Sequence, residues 1–339
     1  MTPDDLYYPR QAYVKTASAF VKPSSDIEDL LESLGAHGIG LKRAYLPNRK
    51  VVHVRNFFHH ALAKLQLPRN KTVVLQYPSQ YHIADLFKAA KRRGNKVILV
   101  VHDINRLRGI HTHNYDNVLQ GADVVIVHTP AMQRWFNEQY PGKKSIVLEV
   151  FDYIQPIIPQ AQAPADKATI VFAGNLGKST FLSKFNLDGK RLKLVLYGVG
   201  CPETLKEQPF VDYRGSCMPE EIPGRIAANT YGLVWDGTSV DTCDGSFGKY
   251  LEYNAPYKLS SYLAAGLPVI VWSKMGIAPF VTGNKLGIAV DSLKDIDDVI
   301  SGITPEQYQA MRGNVRAMQL KVSAGDFARN AITRALDLL

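Results

Sequence analysis

Leu233–Trp272 reads LVWDGTSVDTCDGSFGKYLEYNAPYKLSSYLAAGLPVIVW. Two apolar runs bracket a polar Gly/Asp/Ser loop, and Pro-Tyr-Lys falls where a second periodic segment begins. The pattern predicts a strand ending at Trp235, a helix starting near Pro256 and a second buried strand launched by Leu267 and Pro268. Lys258 then sits in the first helical turn, where free N–H groups and the positive end of the dipole disfavour a cation. The placement makes sense if an anion stands in front of it, and helix N-termini bind phosphates. A nucleotide diphosphate fits that description.

Outward from this block, short apolar runs alternate with helical patterns. Upstream, Thr72–Gln76, Val97–Val101, Val124–Val127 and Ile146–Val150 read as buried strands. Between them lie helical patterns at about Ile83–Arg93, Tyr115–Gln120 and Pro130–Tyr140. Thr169–Ala173, Leu192–Tyr197, Leu233–Trp235, Val269–Trp272 and Ile288–Val290 repeat the alternation downstream. Continuous apolar strands between helices predict parallel sheets covered on both faces, hence an α/β protein. Nearer the start, Ile39–Tyr45 reads as a strand. Val54, Phe57, Phe58, Ala61, Leu62 and Leu65 form a helical stripe that serves a core or a homo-oligomer interface.

The chain has 339 residues, which predicts two domains. Phe151–Asp166, with Pro156, Pro159 and Pro164, reads as a stiff extended connector. The expected division is an N-terminal domain over 1–155, a linker over 156–166 and a C-terminal domain over 167–320. The tail, 321–339, is expected to be a helix packing back toward the N-terminal domain. Two Rossmann-like domains facing a central cleft would place ligands beyond the carboxyl ends of their strands.

MTPDDLYYPR lacks the apolar core of a signal peptide, and the apolar runs are too short to span a bilayer. Three cysteines without CxxC spacing point away from zinc and disulfides and toward a reducing, cytoplasmic setting. Residues 1–150 carry 21 Lys and Arg against 12 Asp and Glu, whereas 151–339 carry 19 of each. The whole excess of +9 thus lies in the first half, where an anionic membrane surface or a polyanion is the expected partner. The cations closing the helix near Arg93 suit the helix dipole as well as a lipid leaflet. No nucleic-acid-binding pattern accompanies the charge, so nucleic acid is not expected.

Gly174-Asn175-Leu176-Gly177-Lys178 follows a strand, and its glycines would admit a ligand to the backbone while Lys178 reaches its charge. Gly198-Val199-Gly200 forms a similar turn. The loop Asp236–Asn254 exceeds what a crossover needs, which marks it as functional. Asp241 and Asp244 read as loop caps rather than a metal pair. His111 and His113 have no third ligand and read as loop residues. Asp103, with His102 before it, ends the strand Val97–Val101, where either a helix cap or a general base belongs. Arg106 and Arg108 bind acceptor phosphate or face solvent.

The block WDGTSVDTCDGSFGKYLEYNAPYKLSSYLAAGLPVIVW resembles the donor-binding segment of bacterial β-1,6-galactofuranosyltransferases and of related glucosyltransferases that extend GlcNAc on adhesins. The likeness continues in Val101–Gly109, in Phe172–Leu176 and in the tail Ser323–Leu339, and it weakens before Thr72. It implies a GT-B enzyme with an acceptor domain, a nucleotide-sugar domain and no metal or other cofactor. Lys258 and Lys178 would then neutralise the departing UDP diphosphate, which develops negative charge as it leaves. Asn254, Tyr257 and Ser260 would line the same turn, Gly174 and Asn175 would approach the donor, and Asp236 and Gly237 would border the sugar. Asp103, or His102 after it, would be the base of an inverting transfer. The expected reaction moves a hexosyl group, galactofuranose ahead of glucose, from a UDP-sugar to a glycan or lipid-linked glycan acceptor. It would serve surface polysaccharide or glycoconjugate synthesis from the inner face of the membrane. The alternatives are UDP-glucose transfer to GlcNAc-bearing acceptors and a non-catalytic scaffold that binds a nucleotide-sugar.

Overall fold

The computed structural model describes residues 5–14, 21–78, 81–110, 116–159 and 168–339. The expected loop residues His111 and His113, and the linker residues from 160 to 166, lie outside that set. The chain divides into two compact units. The first runs to Leu148 and takes back Phe327–Leu339; the second is Glu149–Asp326.

The first unit contains β1 (Leu6–Pro9), β2 (Ala12–Val14), α1 (Lys22–Ser33), β3 (His37–Ile39), β4 (Ala44–Leu46), α2 (Arg49–Gln66) and β5 (Thr72–Tyr77). There follow α3 (Ile83–Arg92), β6 (Lys96–Val101), α4 (Asp116–Gly121), β7 (Val124–Val127), α5 (Pro130–Gln139) and β8 (Lys144–Val147). Among the described residues the main sheet has the order β3-β1-β5-β6-β7-β8, with β2 and β4 paired separately. All of its strand pairs are parallel. The apolar runs of β5, β6 and β7 are buried on both faces, which is why these strands show no alternation. The register Tyr77↔Val101 makes β5 and β6 end together.

The second unit contains β9 (Ala168–Ala173), β10 (Leu192–Tyr197), α6 (Glu203–Lys206), β11 (Val211–Tyr213), α7 (Ile222–Ile226), β12 (Tyr231–Val234) and α8 (Gly245–Tyr250). After these come α9 (Tyr257–Ala264), β13 (Val269–Trp272), α10 (Ala278–Gly283), β14 (Gly287–Val290), α11 (Ile296–Ser301) and α12 (Pro305–Ala324); α13 (Asp326–Asp337) leads back into the first unit. The strand order β11-β10-β9-β12-β13-β14 is doubly wound. Its direction reverses between β9 and β12, where such sheets open a crevice for ligands.

Several expected boundaries move. Ile39–Tyr45 is two strands, because Gly40 turns left-handed at φ 85° between them. The strand expected over Ile146–Val150 ends at Val147, two residues before Glu149 at φ 75°. The segment after Val150 is anchored within its unit, with the Tyr153 N–H donating to Val322 O at 2.9 Å and Gln319 Nε2 to Ile158 O at 3.0 Å.

The largest departure is α2. Its stripe faces outward, with Phe57 and Phe58 61% and 62% exposed and Leu65 74% exposed. The buried face carries Asn56 and His59 beside Ala63. Asn56 Oδ1 accepts from the Ala12 N–H at 3.3 Å, and His59 Nδ1 accepts from the Leu41 N–H at 2.9 Å. Strand-edge and turn amides need partners more than this face needs apolar contact, so polar side chains hold the helix down.

Candidate functional site

In the second unit the site grows from the ends of β9 and β12, the two strands flanking the switch point. Tyr262 of α9 sets the geometry. Its ring fills the space a Cβ on Gly232 would need, lying 2.4 Å from that position. Its hydroxyl accepts the Ala173 N–H at 2.9 Å, which ties α9 to the end of β9. Lys258 lies four residues earlier, on the same helix face. Its ammonium donates to Trp235 O at 3.3 Å and stands 4.2 Å from the centre of the Phe172 ring. A Cβ placed on Gly174 would be 4.0 Å from Nζ, so the backbone at Gly174 and the Lys258 ammonium face one another. Burial lowers the Lys258 pKa, and the charge of Asp236 opposes that shift. An ammonium has three donors, and this one meets a carbonyl and a ring in partial isolation from water. Pro256 gives α9 no side-chain cap, leaving the helix end open to an external acceptor.

The facing loop is built by interlocking glycines. The Gly174 N–H donates to Tyr197 O at 3.0 Å and the Leu176 N–H to Val199 O at 2.9 Å, prolonging the β9–β10 ladder past the strands. Gly198, at φ 143°, could not carry a side chain, since its Cβ would lie 1.7 Å from Gly174 O. A Cβ on Gly177 would lie 3.2 Å from Gly200 O. Asn175 closes the turn, its Oδ1 accepting from the Lys178 N–H at 3.1 Å and its carbonyl from Ser179 Oγ at 3.0 Å. Lys178 is exposed on the same loop.

The loop after β12 is braced rather than open. Asp236 Oδ1 accepts the Gly237 N–H at 2.8 Å. Gly237, at φ 110°, packs so tightly on Asp244 that a Cβ would lie 2.5 Å from its carboxylate. Asp244 also accepts from the Thr238 N–H and, at 2.7 Å, from its hydroxyl. The Thr238 N–H is the main cause of its lowered pKa. Asp241 turns instead to Lys294 at 2.6 Å. Both carboxylates are thus held by loop partners, and α8 occupies part of what reads in sequence as one long loop.

Of the expected donor residues, Gly174, Asp236 and Lys258 come together around the ammonium, and Gly237 and Asn175 shape the two loops. Tyr257 stacks on Tyr153 at 5.0 Å between ring centres. Asn254 is buried, its Oδ1 without a partner among the described residues. Ser260 lies inside α9's packed side. It is fully buried with no hydrogen bond to its hydroxyl among the described residues. Phe172, Trp235 O and Tyr262 belong to the site without having been read from sequence. Only the strand-end position of the first two carried any signal.

In the first unit His102 and Asp103 follow β6. The His102 N–H donates to Tyr77 O at 2.6 Å, and Nε2 lies 2.7 Å from Gln76 Oε1. Gln76 Nε2 donates to Ser24 O, which leaves its Oε1 to accept and assigns the proton to His102 Nε2. Burial, aided by His128, lowers the His102 pKa to about 3, so the ring is neutral at pH 7. Arg108 Nη1 donates to Asp103 Oδ2 at 2.8 Å, and both side chains remain partly accessible. Arg108 thereby positions the carboxylate, while Arg106 is exposed.

The comparisons agree across both units. Residues 9–150 match the family model "Glucosyltransferase 3-like, N-terminal domain" and residues 170–335 the corresponding C-terminal domain model. The chain is 32% identical over 249 residues to the β-1,6-galactofuranosyltransferase WbbI of Escherichia coli (strain K12), covering 71% of this chain and 72% of that protein. It is 25% identical over 246 residues to glucosyltransferase 3 of Streptococcus gordonii, covering 71% of each. Among solved structures, the sucrose-phosphate synthase of Thermosynechococcus elongatus superposes with a TM-score of 0.64 at 12% identity, covering 97% of this chain and 99% of that one.

Proposed function

From the premise that this chain belongs to the glucosyltransferase 3-like family and is a glycosyltransferase of GT-B fold, we propose that it moves a hexosyl group from a UDP-sugar to a glycan acceptor with inversion. The observation that carries the donor assignment is the Lys258 ammonium. It is desolvated, faces the Gly174 backbone and stands at the uncapped start of α9.

As the bond from the sugar to UDP breaks, negative charge accumulates on the diphosphate. A fixed cation and helix-terminal N–H groups at that position stabilise it without reorganising. Lys258 and Lys178 fill this role in the proposal, with no metal or other cofactor. Asn175 and Gly198 hold the loop at Gly174 close to the donor, and the loop Asp236–Gly237 borders the sugar. Asp103 is the first candidate for the base that takes the acceptor hydroxyl proton. His102 ranks second, because a ring with a pKa of about 3 attracts that proton weakly.

Galactofuranose is the favoured donor sugar, supported by the higher identity to WbbI. Glucose is the second reading, supported by the family models that cover both units. The acceptor in this proposal is a glycan or lipid-linked glycan reached from the cytoplasmic face of the membrane. No helix among the described residues is long and apolar enough to cross a bilayer. UDP release from UDP-galactofuranose and from UDP-glucose, measured with GlcNAc- and glucose-terminated lipid acceptors, tests the proposal. Turnover of UDP-glucose alone reverses the order of donors. No turnover of either removes the catalytic proposal in favour of a nucleotide-sugar-binding scaffold.

A further inference from the structure

The outward face of α2 is built for an apolar partner. Val51, Val54, Phe58, Ala61 and Leu65 recur at spacings of three and four along one side of the helix, with Phe57 beside them. All six are exposed. The helix has 18 residues, so the stripe runs for about 27 Å. Phe57 and Phe58 pack edge to face on each other at 5.6 Å, and nothing else among the described residues covers them to any depth. Large exposed apolar patches mark interaction sites.

The charge around the stripe says what kind of partner it takes. From residue 33 to residue 84 the chain holds eight lysines and arginines and not one aspartate or glutamate; Arg43 pairs with Asp29 and Lys71 with Asp5, whereas Lys42, Arg49 and Lys50 are exposed. Arg49 and Lys50 occupy the first turn of α2, where the helix dipole disfavours cations, and both are exposed. The nearest acid after this stretch, Asp85, is already paired with Lys64 at 2.8 Å and His60 at 2.7 Å. Those two contacts lower its pKa to about 2. Arg93 donates to Leu65 O at 3.2 Å and also to Leu67 O, fixing the far end of the helix. A second copy brought against this face would oppose cations to cations. A surface that is both apolar in depth and negatively charged matches it, as does no other feature of the helix.

We propose that α2 is the docking surface of this protein for an anionic lipid bilayer. The helix lies in the interface, Phe57, Phe58, Val54 and Leu65 entering the acyl boundary while Arg49, Lys50 and Lys42 meet lipid phosphates. The surface rests on no part of the donor reading, and its test involves no turnover.

The full chain is mixed with vesicles of phosphatidylcholine alone or of phosphatidylcholine with phosphatidylglycerol, and the bound fraction is read by flotation. Binding is expected to the phosphatidylglycerol vesicles only and to weaken with added salt. Phe57→Ser with Phe58→Ser is expected to lower the partition coefficient about 100-fold. Arg49→Gln with Lys50→Gln is expected to lower it about fivefold per cation removed. These side chains are exposed, so circular dichroism is expected to show the fold unchanged. The proposal is overturned by absence of binding to either vesicle, or by undiminished binding of the double-serine variant. It is also overturned if sedimentation shows that the aromatic pair joins two copies of the chain and vesicles bind neither form.

Discussion

Lys258→Met separates a ligand-binding cation from a structural one. The substitution keeps most of the side-chain volume and removes the charge. Two interactions with the protein disappear: a 3.3 Å bond to Trp235 O and a cation–ring contact of 4.2 Å. The latter contributes about 0.5–2 kcal/mol. The cost of desolvating the ammonium disappears as well, and it opposes the loss. The net change in stability is therefore expected to stay within about 1 kcal/mol, a shift in Tm of no more than about 4 °C for a unit of this size.

Affinity for UDP behaves differently. A hydrogen bond from an ammonium to a phosphate oxygen contributes about 1.5–3 kcal/mol, so losing two weakens binding by about 100-fold or more. Titration calorimetry and a thermal melt on the same preparation give both numbers. A protein that melts much earlier yet binds UDP normally would refute the reasoning. The lowered pKa adds a second signature. The folded state holds fewer protons than the unfolded chain between the lowered value and 10.5, so the charge of Lys258 costs stability below that window and the cost is relieved as pH rises through it. A bound anion restores the proton. UDP binding should take up protons in that window and weaken as pH climbs through it, and Lys258→Met should show neither effect.

Gly198→Ala puts a methyl group on Gly174 O and a side chain at a φ that L residues rarely adopt. It is expected to cost about 2–3 kcal/mol in urea denaturation and to weaken UDP binding; normal UDP affinity would show that the interlocked loops do not hold the donor. Neutral histidines held wholly or partly away from water should make the fold acid-sensitive, with His102 lowered to about 3 and His128 and His59 to about 4 from 6.5. Between those values the unfolded chain binds more protons than the folded one, so stability is complete above 6.5 and declines as pH falls through the window. Each histidine contributes about 2 kcal/mol of loss between pH 6.5 and 5. Urea midpoints at the two pH values should show a smaller drop for His102→Gln than for the unsubstituted chain, and an equal drop would refute its part.

The buried strands were legible because a parallel strand covered on both faces can hardly contain anything but apolar residues. Thr72, Val124 and Leu192 begin strands as expected. The juxtaposition proposed to hold the donor was partly legible for a related reason: Gly174 and Lys258 depart from what a strand end and a helix start ordinarily prefer. What sequence could not supply was the pairing. Nothing in the run Thr169–Ala173 announces that Phe172 will lie beneath an ammonium 86 positions later. That follows from β9 and β12 being neighbours, with Tyr262 tying α9 to the end of β9. The depth of Ser260 was not legible either, because adjacency in a helix is not adjacency in space. This residue is two positions from Lys258, on a side of α9 that is fully buried.

The helix α2 shows the same limit from the other direction, and the physical reason is instructive. A period of 3.6 identifies an apolar stripe but not whether protein or something else will cover it. In most helices the stripe faces the core because burial there outweighs everything the opposite face can offer. Here Asn56 and His59 answer backbone donors at Ala12 and Leu41, and Gln66 Oε1 accepts the Gly40 N–H at 2.6 Å. Turning the helix to bury Phe57 and Phe58 would strip partners from these backbone amides; the Ala12 bond is buried, and an unpaired buried amide costs about 1–3 kcal/mol. The polar contacts therefore fix the rotation of the helix, and the aromatic pair is held outward. Apolar surface is thus left in water on one side while the other side supplies partners to Ala12, Leu41 and Gly40. The arrangement becomes advantageous only when a partner removes that surface from water.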